Sequence, residues 1–477
     1  MDPQQIIEQA VDNRYKDELI GLSQTIWELA EVGYEEFKSA EALCQALEKH
    51  GFTVTRNLVD IPTAFKGVWG KGSPVIGILG EYDALPGLSQ EAGCPVKKPE
   101  HEGCPGHGCG HNLLGTGALA GALALKDYLE VTGQPGTVVY FGTPAEENLS
   151  GKTFMARDGA FAGVDFFLSW HPAAENRTAT PHLNANVCRT YKFQGITSHA
   201  AAAPELGRSA LDSCEIMGVG ANYLREHVIM EARIQYAYLD VGGRAPNVVQ
   251  DHAAVRYVVR APYYRQVKEI VKRLDDVARG AALICGTKVS VERESGYSEY
   301  INNKVLAQTA TEAFHEIGVP KWDEADFALA KKFTEAFSDS MKEKEKQMLV
   351  NRYGRNRLAE KLSQPLDTEI RDFEPDREEL DFGSTDVGDV GFIAPTYYFT
   401  AATEAFGTPG HSWYKTGQVN SPIGWKGMLT AGKVIALTAV KVLENPALLE
   451  AAQKEFMEKN DGQYDCPVEG VDHLPKL

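Results

Sequence analysis

At 477 residues, the chain is longer than one hydrophobic core usually organises, so we expect two domains with room for a cleft between them. Its composition is that of a globular protein, with 43% hydrophobic and 24% charged residues, and no apolar run approaches the roughly 20 residues of a membrane helix. The 48 basic and 66 acidic side chains give a net charge of −18, which disfavours binding to nucleic acid and to acidic membrane surfaces.

The first residues and the cysteine content both favour a reducing compartment. The opening, MDPQQIIEQAVDNRYKDELIGL, carries acids early and lacks the basic head and apolar stretch of a secretory signal. Without such a signal, the eight cysteines are expected to be reduced thiols and potential ligands rather than a disulfide framework. We therefore expect a cytoplasmic protein.

The first part of the chain is predicted to be an α/β unit. Apolar residues at helical spacing, such as Ile26 and Leu47, predict leading helices that end at Gly51. Short β-type runs then alternate with a helical stretch: PVIGILG, LLGTGALAGALALKDYL and GTVVYFG. A further apolar run, VDFFLSW, precedes His171 and predicts another buried strand. Such alternation is typical of a domain with a largely parallel sheet.

After about Val187 the order of predicted elements changes to strand, helix, strand, strand, helix, strand. This β-α-β-β-α-β order is the split, ferredoxin-like arrangement. It covers roughly 110 residues, which is within the usual range for a domain. The sequence thus predicts an inserted α+β domain over residues 187–298, between two parts of one larger domain at residues 1–186 and 299–477.

Helical patterns resume beyond the insert. A charged stretch from Asp323 to Glu379 is predicted to be a solvated helical elaboration, with no assigned role. An apolar run, PTYYFTA, then leads into a loop that contains His411, and two helical stretches close the chain.

The densest group of chemically capable residues is GCPGHGCGHNLLGTG, where Cys109 and His111 lie two apart in a glycine-rich loop before a helix. Glycine allows the tight turns that bring neighbouring side chains onto one ion, and thiolate and imidazole both bind zinc-like metals. A C-x-H pair alone is weak evidence, because a buried thiol beside a helix-start histidine has the same pattern.

Two adjacent acids, Glu146 and Glu147, follow the strand VVYFG and a bend at Thr143 and Pro144. On an extended backbone, successive side chains point in opposite directions, so one carboxylate could bind a metal while its neighbour faces a coordinated water. Taken alone, such a doublet is more often a solvated pair.

Two histidines also follow strand-like runs: His171 at the end of VDFFLSW, and His411 in TEAFGTPGHSW after YYFTA. The functional crevice of an open α/β sheet lies outside the carboxyl ends of its strands, so four such segments are expected to meet there. Asp83, in GEYDALPG after PVIGILG, could orient a ligating imidazole from behind, although a turn aspartate is an equally good interpretation.

These residues belong to segments by which the chain resembles the M20 metallopeptidases, in particular their amidohydrolase branch. The matching segments, in the order of that branch, are GEYDALPGLSQ, GHGCGHNLLGTGALAGA, GTPAEE, SWHP, SHAAAAPELGRSALD, GGRAPNVVQDHA and GSTDVGDV. The resemblance spans nearly the whole chain. It implies a zinc-peptidase-like α/β catalytic domain with a mostly parallel mixed sheet, and an inserted ferredoxin-like α+β lid and dimerisation domain.

The resemblance also implies a centre for two divalent metal ions, zinc or manganese. Cys109 takes the bridging position, with His111 and His171 completing one ion and Glu147 and His411 the other. Glu146 falls on the general base that takes a proton from the activated water.

On the insert, the resemblance places His199 where relatives reach across a dimer to the oxyanion of the partner's active site. Asn247 and Arg260 match substrate-contacting positions, and Arg260 is suited to a substrate carboxylate. The implied substrates are small N-acyl amino acids, such as p-aminobenzoyl-glutamate, or short dipeptides, hydrolysed by a homodimer.

Two other hypotheses stay open at this stage. The chain could be a subunit that works only beside a paralogous partner chain. It could instead be a non-catalytic binding protein stapled by a structural zinc on Cys94, Cys104, His107 and Cys109, although their spacing is irregular.

Overall fold

A computed structural model describes residues 2–179, 181–377, 379–460 and 464–475. The first part of the chain is helical and then alternates between strands and helices, as the sequence predicts. Its helices are α1 (Pro3–Gln9), α2 (Lys16–Leu29), α3 (Phe37–Lys49), α4 (His111–Thr132), α5 (Glu146–Leu149) and α6 (Gly151–Arg157). Its strands are β1 (Thr53–Arg56), β2 (Phe65–Lys71), β3 (Val75–Gly80), β4 (Gly136–Gly142), β5 (Phe166–Ala173), β6 (Asn176–Arg177) and β7 (His182–Leu183).

The middle of the chain folds as β8 (Ala185–Gln194), α7 (Ala210–Leu224), β9 (Arg233–Asp240), β10 (His252–Ala261), α8 (Tyr264–Cys285) and β11 (Lys288–Tyr297). The four strands form an antiparallel sheet in the order β11-β8-β10-β9, which is the ferredoxin-like order. Both helices bury their apolar faces on this sheet, in a core made only of residues from Ala185 to Ala282. We call this unit the α+β unit.

The rest of the chain is mainly helical. Its helices are α9 (Lys304–Ile317), α10 (Glu324–Glu335), α11 (Asp339–Tyr353), α12 (Leu358–Ser363), α13 (Val387–Val390), α14 (Trp413–Val419), α15 (Pro422–Glu444) and α16 (Pro446–Asn460). Its strands are β12 (Ile370–Arg371), β13 (Leu380–Asp381) and β14 (Thr396–Ala402). Helices α10 to α12 form most of the predicted charged elaboration. Among the described helices, none combines the length and the apolar character that a membrane crossing requires.

The central sheet has the order β1-β2-β4-β3-β5-β14-β6-β12. Its four middle strands, β4, β3, β5 and β14, run parallel, and antiparallel pairs occur towards both sides. This arrangement confirms the predicted mixed sheet with a parallel centre.

Helices cover both faces of the central sheet because its strands are apolar on both sides. In β4, Val138 and Tyr140 enter the core under α4 and α15, whereas Val139 and Phe141 enter the core under α6. Alternate side chains of a strand point to opposite faces, so a continuous apolar run needs cover on both. Because the four middle strands are parallel, their carboxyl ends lie along the same edge of the sheet. A site can form at this edge.

Candidate active site

A cleft of about 360 Å³ lies at the carboxyl edge of the central sheet, between that sheet and the α+β unit. It is the size of a pocket for a small molecule. Each parallel strand supplies a wall residue, either at its end or in the loop that follows. The residues that line the cleft include Glu81, Cys109, Glu146, Glu147, His171, Arg260, Tyr297, Asp381, Ser384, Tyr398 and His411.

Cys109 and His111 enter the site from the start of α4. Gly110 has φ +86, and a Cβ there would lie 3.1 Å from the Cβ of Pro172, so this turn favours glycine. The turn places the Cys109 sulfur 3.4 Å from Nε2 of His171, on β5. Nδ1 of His171 lies 2.9 Å from the carbonyl of Pro172, so Nδ1 carries the hydrogen and Nε2 is left to face the thiol.

His111 is fully buried and is held from behind by Asp83. Its Nδ1 lies 2.8 Å from a carboxylate oxygen of Asp83, which leaves Nε2 on the side of Glu81, a residue of the cleft wall. Nε2 has no hydrogen-bond partner among the described residues, although Oε2 of Glu81 lies 3.3 Å away. A buried imidazole nitrogen in this state is suited to metal coordination.

Glu146 and Glu147 lie in a different local structure from the one predicted. The chain turns at Ala145, with φ +59, and both glutamates begin the short helix α5. The expected alternation of two side chains on an extended backbone is therefore wrong. Oδ2 of Asp83 accepts a 2.9 Å hydrogen bond from the Glu147 amide, and the Tyr297 hydroxyl donates to the Glu146 carbonyl at 2.8 Å. These contacts fix the turn. Both carboxylates therefore line the cleft although the backbone is helical and not extended.

His411 comes from the loop between β14 and α14. Its backbone has φ +51, and its amide donates to the carbonyl of Gly108 at 2.9 Å. Its Nε2 lies 3.3 Å from Oε1 of Glu147, an otherwise unpartnered buried oxygen among the described residues. The structure thus brings together all five side chains that the resemblance assigns to metals.

These five side chains form two overlapping groups. In one group the ligand atoms of Cys109, His111 and His171 lie within 4.8 Å of one another, and in the other those of Cys109, Glu147 and His411 do. Cys109 belongs to both groups. Sulfur, imidazole and carboxylate donors at this spacing fit a pair of divalent transition-metal ions that share one thiolate.

The electrostatics of the site are dominated by buried ionisable groups. Burial alone would raise the pKa of Cys109, but His111 and His171 hold it well below its ordinary value, which favours the thiolate. Burial, with Glu81 and Glu147 nearby, raises the pKa of Glu146 well above its ordinary value. Burial also raises the pKa of Glu147 to about 7. Cations stabilise the charged form of buried carboxylates that lie this close together.

Three residues of the site were missed at the sequence level: Glu81, Lys152 and Asp386. Lys152 is fully buried, with Nζ 2.7 Å from Oε1 of Glu81 and 2.6 Å from Oδ1 of Asp386. Glu81 and Asp386 lie in the segments GEYDALPG and GSTDVGDV, which the resemblance already marks. Nothing in the sequence distinguishes Lys152 from a solvated helix lysine.

Of the three site residues that were predicted on the insert, one lines the cleft and two do not. Arg260 lines the cleft, 3.4 Å from the carbonyl of Phe382 and 3.3 Å from Oγ of Ser384. His199 and Asn247 are exposed and do not line the cleft of their own chain. In the single chain, Nδ1 of His199 accepts from nearby backbone amides.

The structural-zinc hypothesis requires four side chains that do not meet. None of the ligand groups found among the described residues contains Cys94, Cys104 or His107. Nε2 of His107 instead lies 3.0 Å from the carbonyl of Ile26. A closed site on these residues is therefore not supported.

Comparisons with known proteins agree with this geometry. Residues 77–356 match the model of peptidase family M20/M25/M40. The chain is 42% identical to a subunit of p-aminobenzoyl-glutamate hydrolase from Escherichia coli, over 95% of this chain and 94% of that one. It is 29% identical to the Xaa-Arg dipeptidase of Mus musculus, over 92% of this chain and 89% of that one.

Among solved structures, the fold is similar to a Bacillus subtilis protein described as a dinuclear metal binding peptidase from the M20 family. The TM-score is 0.58 at 16% identity, covering 90% of this chain and 98% of that one. The resemblance found in the motifs is thus confirmed at the level of the whole chain. With its sulfur, imidazole and carboxylate clusters at the carboxyl edge of the sheet, the chain is a metal-dependent amidohydrolase that belongs to peptidase family M20/M25/M40.

Proposed function

We propose that the chain hydrolyses the amide bond of a small N-acyl amino acid or dipeptide, of the p-aminobenzoyl-glutamate type. The observation that carries the proposal is the pair of ligand groups that share Cys109, with Glu146 lining the same cleft. The activity named for the 42% identical relative supports the same reaction class.

The proposed ligand set is Cys109, His111 and His171 for one ion and Cys109, Glu147 and His411 for the other. A thiolate that both ions share suits zinc by its softness, and manganese is the alternative. Two divalent ions held by these residues would lower the pKa of a water molecule far below its ordinary value, towards about 7, and would polarise the scissile carbonyl. Asp83 orients His111 through the hydrogen bond to Nδ1.

Glu146 is the proposed general base. Its carboxylate takes a proton from the attacking water and passes it to the leaving amine, a contribution of typically 10² to 10⁴-fold. Two contacts support this role: Tyr297 holds the Glu146 carbonyl, and the amide of Glu147 is held by Asp83. The turn at Ala145 is thereby fixed, and the base has a defined position.

Arg260 is the proposed anchor for a substrate carboxylate. Its guanidinium lines the cleft and forms no ion pair with any described acid, and its Nε is buried without a partner among the described residues. The substrates named for the two relatives, p-aminobenzoyl-glutamate and Xaa-Arg dipeptides, both end in an amino acid. A free carboxylate beside the scissile amide is thus the shared feature that Arg260 would recognise.

We further propose that the α+β unit is a lid and dimerisation domain over residues 187–298, and that residues 1–186 and 299–477 form the catalytic domain. Strand β9 pairs only with β10 in the described sheet, so its outer edge is free. Exposed apolar side chains on β9 and α7 flank this edge: Tyr236, Tyr238, Leu239, Ile216, Val219 and Tyr223. A free apolar edge is suited to pairing with a second copy.

In such a homodimer, His199 of one chain would reach the active site of the other, and Asn247 would contact substrate there. Their exposure and their absence from the cleft of their own chain support action across the dimer. The alternative partner is a paralogous chain, because the name of the Escherichia coli relative describes one subunit of a hydrolase. A cytoplasmic location is supported by the eight free cysteines, which suit a reducing compartment.

The decisive test is Glu146→Gln, a nearly isosteric change that removes only the base. We expect turnover of p-aminobenzoyl-glutamate to fall by about 10² to 10⁴-fold. Metal content, measured by mass spectrometry after dialysis against zinc or manganese, should stay at the wild-type level. Full activity in this variant would remove Glu146 from the mechanism.

The matched control is Glu91→Gln, which alters a glutamate that pairs with Lys98 outside the cleft. It should leave both metal content and turnover unchanged. A panel of N-acyl amino acids, their C-terminal amides and dipeptides then defines the substrate. Equal hydrolysis of an acid and its amide would contradict recognition of the carboxylate.

A further inference from the structure

Of the five proposed metal ligands, His411 is the one whose position is least restricted by burial of its side chain. Its side chain is 57% exposed, whereas His111 is fully buried and lies on a long helix. His411 also has a left-handed backbone, which is costly for a residue other than glycine. Its position therefore depends on whatever holds the loop of residues 403–412, between β14 and α14.

The two ends of this loop are held by backbone segments beside the cleft. The amide of Thr403 donates to the carbonyl of Ala173 at 2.8 Å, and the amide of His411 donates to that of Gly108 at 2.9 Å. Both acceptors lie beside the cleft. Within the loop, the side chain of Gln418 on α14 accepts from the amide of Ala405 at 2.8 Å and donates to Oγ1 of Thr408 at 3.0 Å, so the middle of the loop is tied to α14.

The middle of the loop lies against residues 323–366, which contain α10 to α12 and which we call the outer segment. The amide of Phe406 donates to the carbonyl of Pro365 at 2.8 Å. Gly407 packs so tightly that a Cβ there would lie 2.8 Å from the Cβ of Glu345 and 3.3 Å from Cε2 of Phe337. Ala405 shares a small apolar core with Ala330 and Leu366.

The outer segment also holds α14, the helix that follows His411. The rings of Phe337 and Tyr414 meet edge to face, with centroids 5.3 Å apart, and the Tyr414 hydroxyl donates to the Ala336 carbonyl at 3.1 Å. Phe333 lies four residues before Phe337, and its Cζ would be 3.3 Å from a Cβ at Gly417. The outer segment thus contacts the His411 loop and the helix at its end.

By contrast, the other ligand group is carried by elements of the core. Cys109 and His111 enter at the start of α4, and His171 lies on β5 in the central sheet. The two groups therefore differ in how they are supported.

We propose that the outer segment is a positioning element for His411, with Phe337 as its main positioning residue, and that it sets the affinity of the ion held by Glu147 and His411. This inference rests on the proposed two-metal function. If it holds, loosening the outer segment weakens one ion and spares the other. A purely stabilising role would change neither affinity.

The test is Phe337→Ala, with the zinc affinity of both sites measured by titration of the demetallated protein against a competing chelator. Loss of a partner that contacts a metal ligand directly typically lowers metal affinity by 10 to 100-fold, and Phe337 acts on His411 only through the loop, so a loss of about 10-fold is expected. We expect that loss for one ion only, with the ion of Cys109, His111 and His171 bound as in the wild type. The control is Phe52→Ala, because Phe52 is 4% exposed and Phe337 is 3% exposed, and Phe52 lies in the core below α3.

Phe337→Leu extends the test, because it keeps apolar volume and removes only the ring contacts with Tyr414 and Gly407. The ion held by Glu147 and His411 should again lose affinity relative to the control variant Phe52→Leu. This loss should be smaller than the loss in Phe337→Ala. Unchanged affinity for both ions in Phe337→Leu, or an equal loss of both ions, would overturn the inference. These results differ from failure of the proposed function, in which the wild-type chain itself binds no zinc pair.

Discussion

At the scale of single residues, Lys152 is the charge that balances the acidic wall of the site. Burial alone would lower the pKa of its amine, but Asp386 and Glu81 raise it above the ordinary value, so Lys152 stays charged. Its backbone amide also donates to Oδ2 of Asp386 at 2.7 Å. One side chain thus joins the end of β3, the start of α6 and the segment before α13.

Replacing Lys152 with methionine keeps the side-chain length and removes the charge. Two buried carboxylates would then lose their cation, and breaking a buried pair in this way costs about 3 to 5 kcal/mol. We expect the free energy of unfolding, measured by urea denaturation at pH 7, to fall by about this amount. Lys454→Met is the control, since Lys454 pairs with Glu458 on the surface of α16, with both side chains well exposed, and should cost about 1 kcal/mol or less. Equal losses in the two variants would contradict the role given to Lys152.

At the scale of elements, α11 is a charged helix that buries one of its glutamates against the His411 loop. Most of its side chains face solvent, and its buried positions are Glu345 and Leu349. Glu345 lies against Gly407 of the His411 loop. Burial raises the pKa of Glu345 from 4.5 to about 7, against the smaller opposing effects of Lys342 and Lys346.

This raised pKa predicts a pH dependence of stability. Below pH 4.5 Glu345 is protonated in both the folded and the unfolded chain, and between pH 4.5 and about 7 only the unfolded chain releases the proton. The contribution of Glu345 to stability therefore decreases as pH rises through this window. Glu345→Gln should gain roughly 1 to 3 kcal/mol relative to the wild type when pH is raised from 4.5 to 8.

Urea unfolding of both proteins at pH 4.5, 6 and 8 measures this difference. Glu343→Gln is the control on the same helix, because the Glu343 side chain is 77% exposed. A difference between Glu345→Gln and the wild type that does not vary with pH would exclude the assigned titration.

At the scale of the whole molecule, the proposed dimer makes each active site depend on two chains. Mixing His199→Ala with Glu146→Gln tests this, because hybrid dimers contain one site with an intact Glu146 and a His199 from the other chain. After random exchange of protomers, about one quarter of the wild-type activity should return. The mixture should be assayed before and after this exchange. No recovery, with exchange shown by mass spectrometry, would place His199 in its own chain or outside the reaction.

The buried strands, the candidate metal ligands and the order of elements in the α+β unit were all predictable from the sequence. The apolar runs of β3, β4, β5 and β14 are short and bounded by turn residues, so their local pattern identifies buried strands. Cys109 and His111 are close in sequence, His171 lies near the end of β5, and His411 follows β14, whose carboxyl end shares an edge with that of β5. The order of elements in the α+β unit was likewise predictable.

What the sequence by itself determined, then, are the strands, their parallel centre and the side chains able to meet at the carboxyl edge, because these follow from patterns a few residues long. The tertiary structure alone decided the helical turn at Glu146 and Glu147, the burial of Lys152 between Glu81 and Asp386, and the packing of Phe337 on the His411 loop. Each of these depends on contacts between residues far apart in the chain. Such contacts arise only when distant segments are packed together, and no local pattern encodes which segments meet.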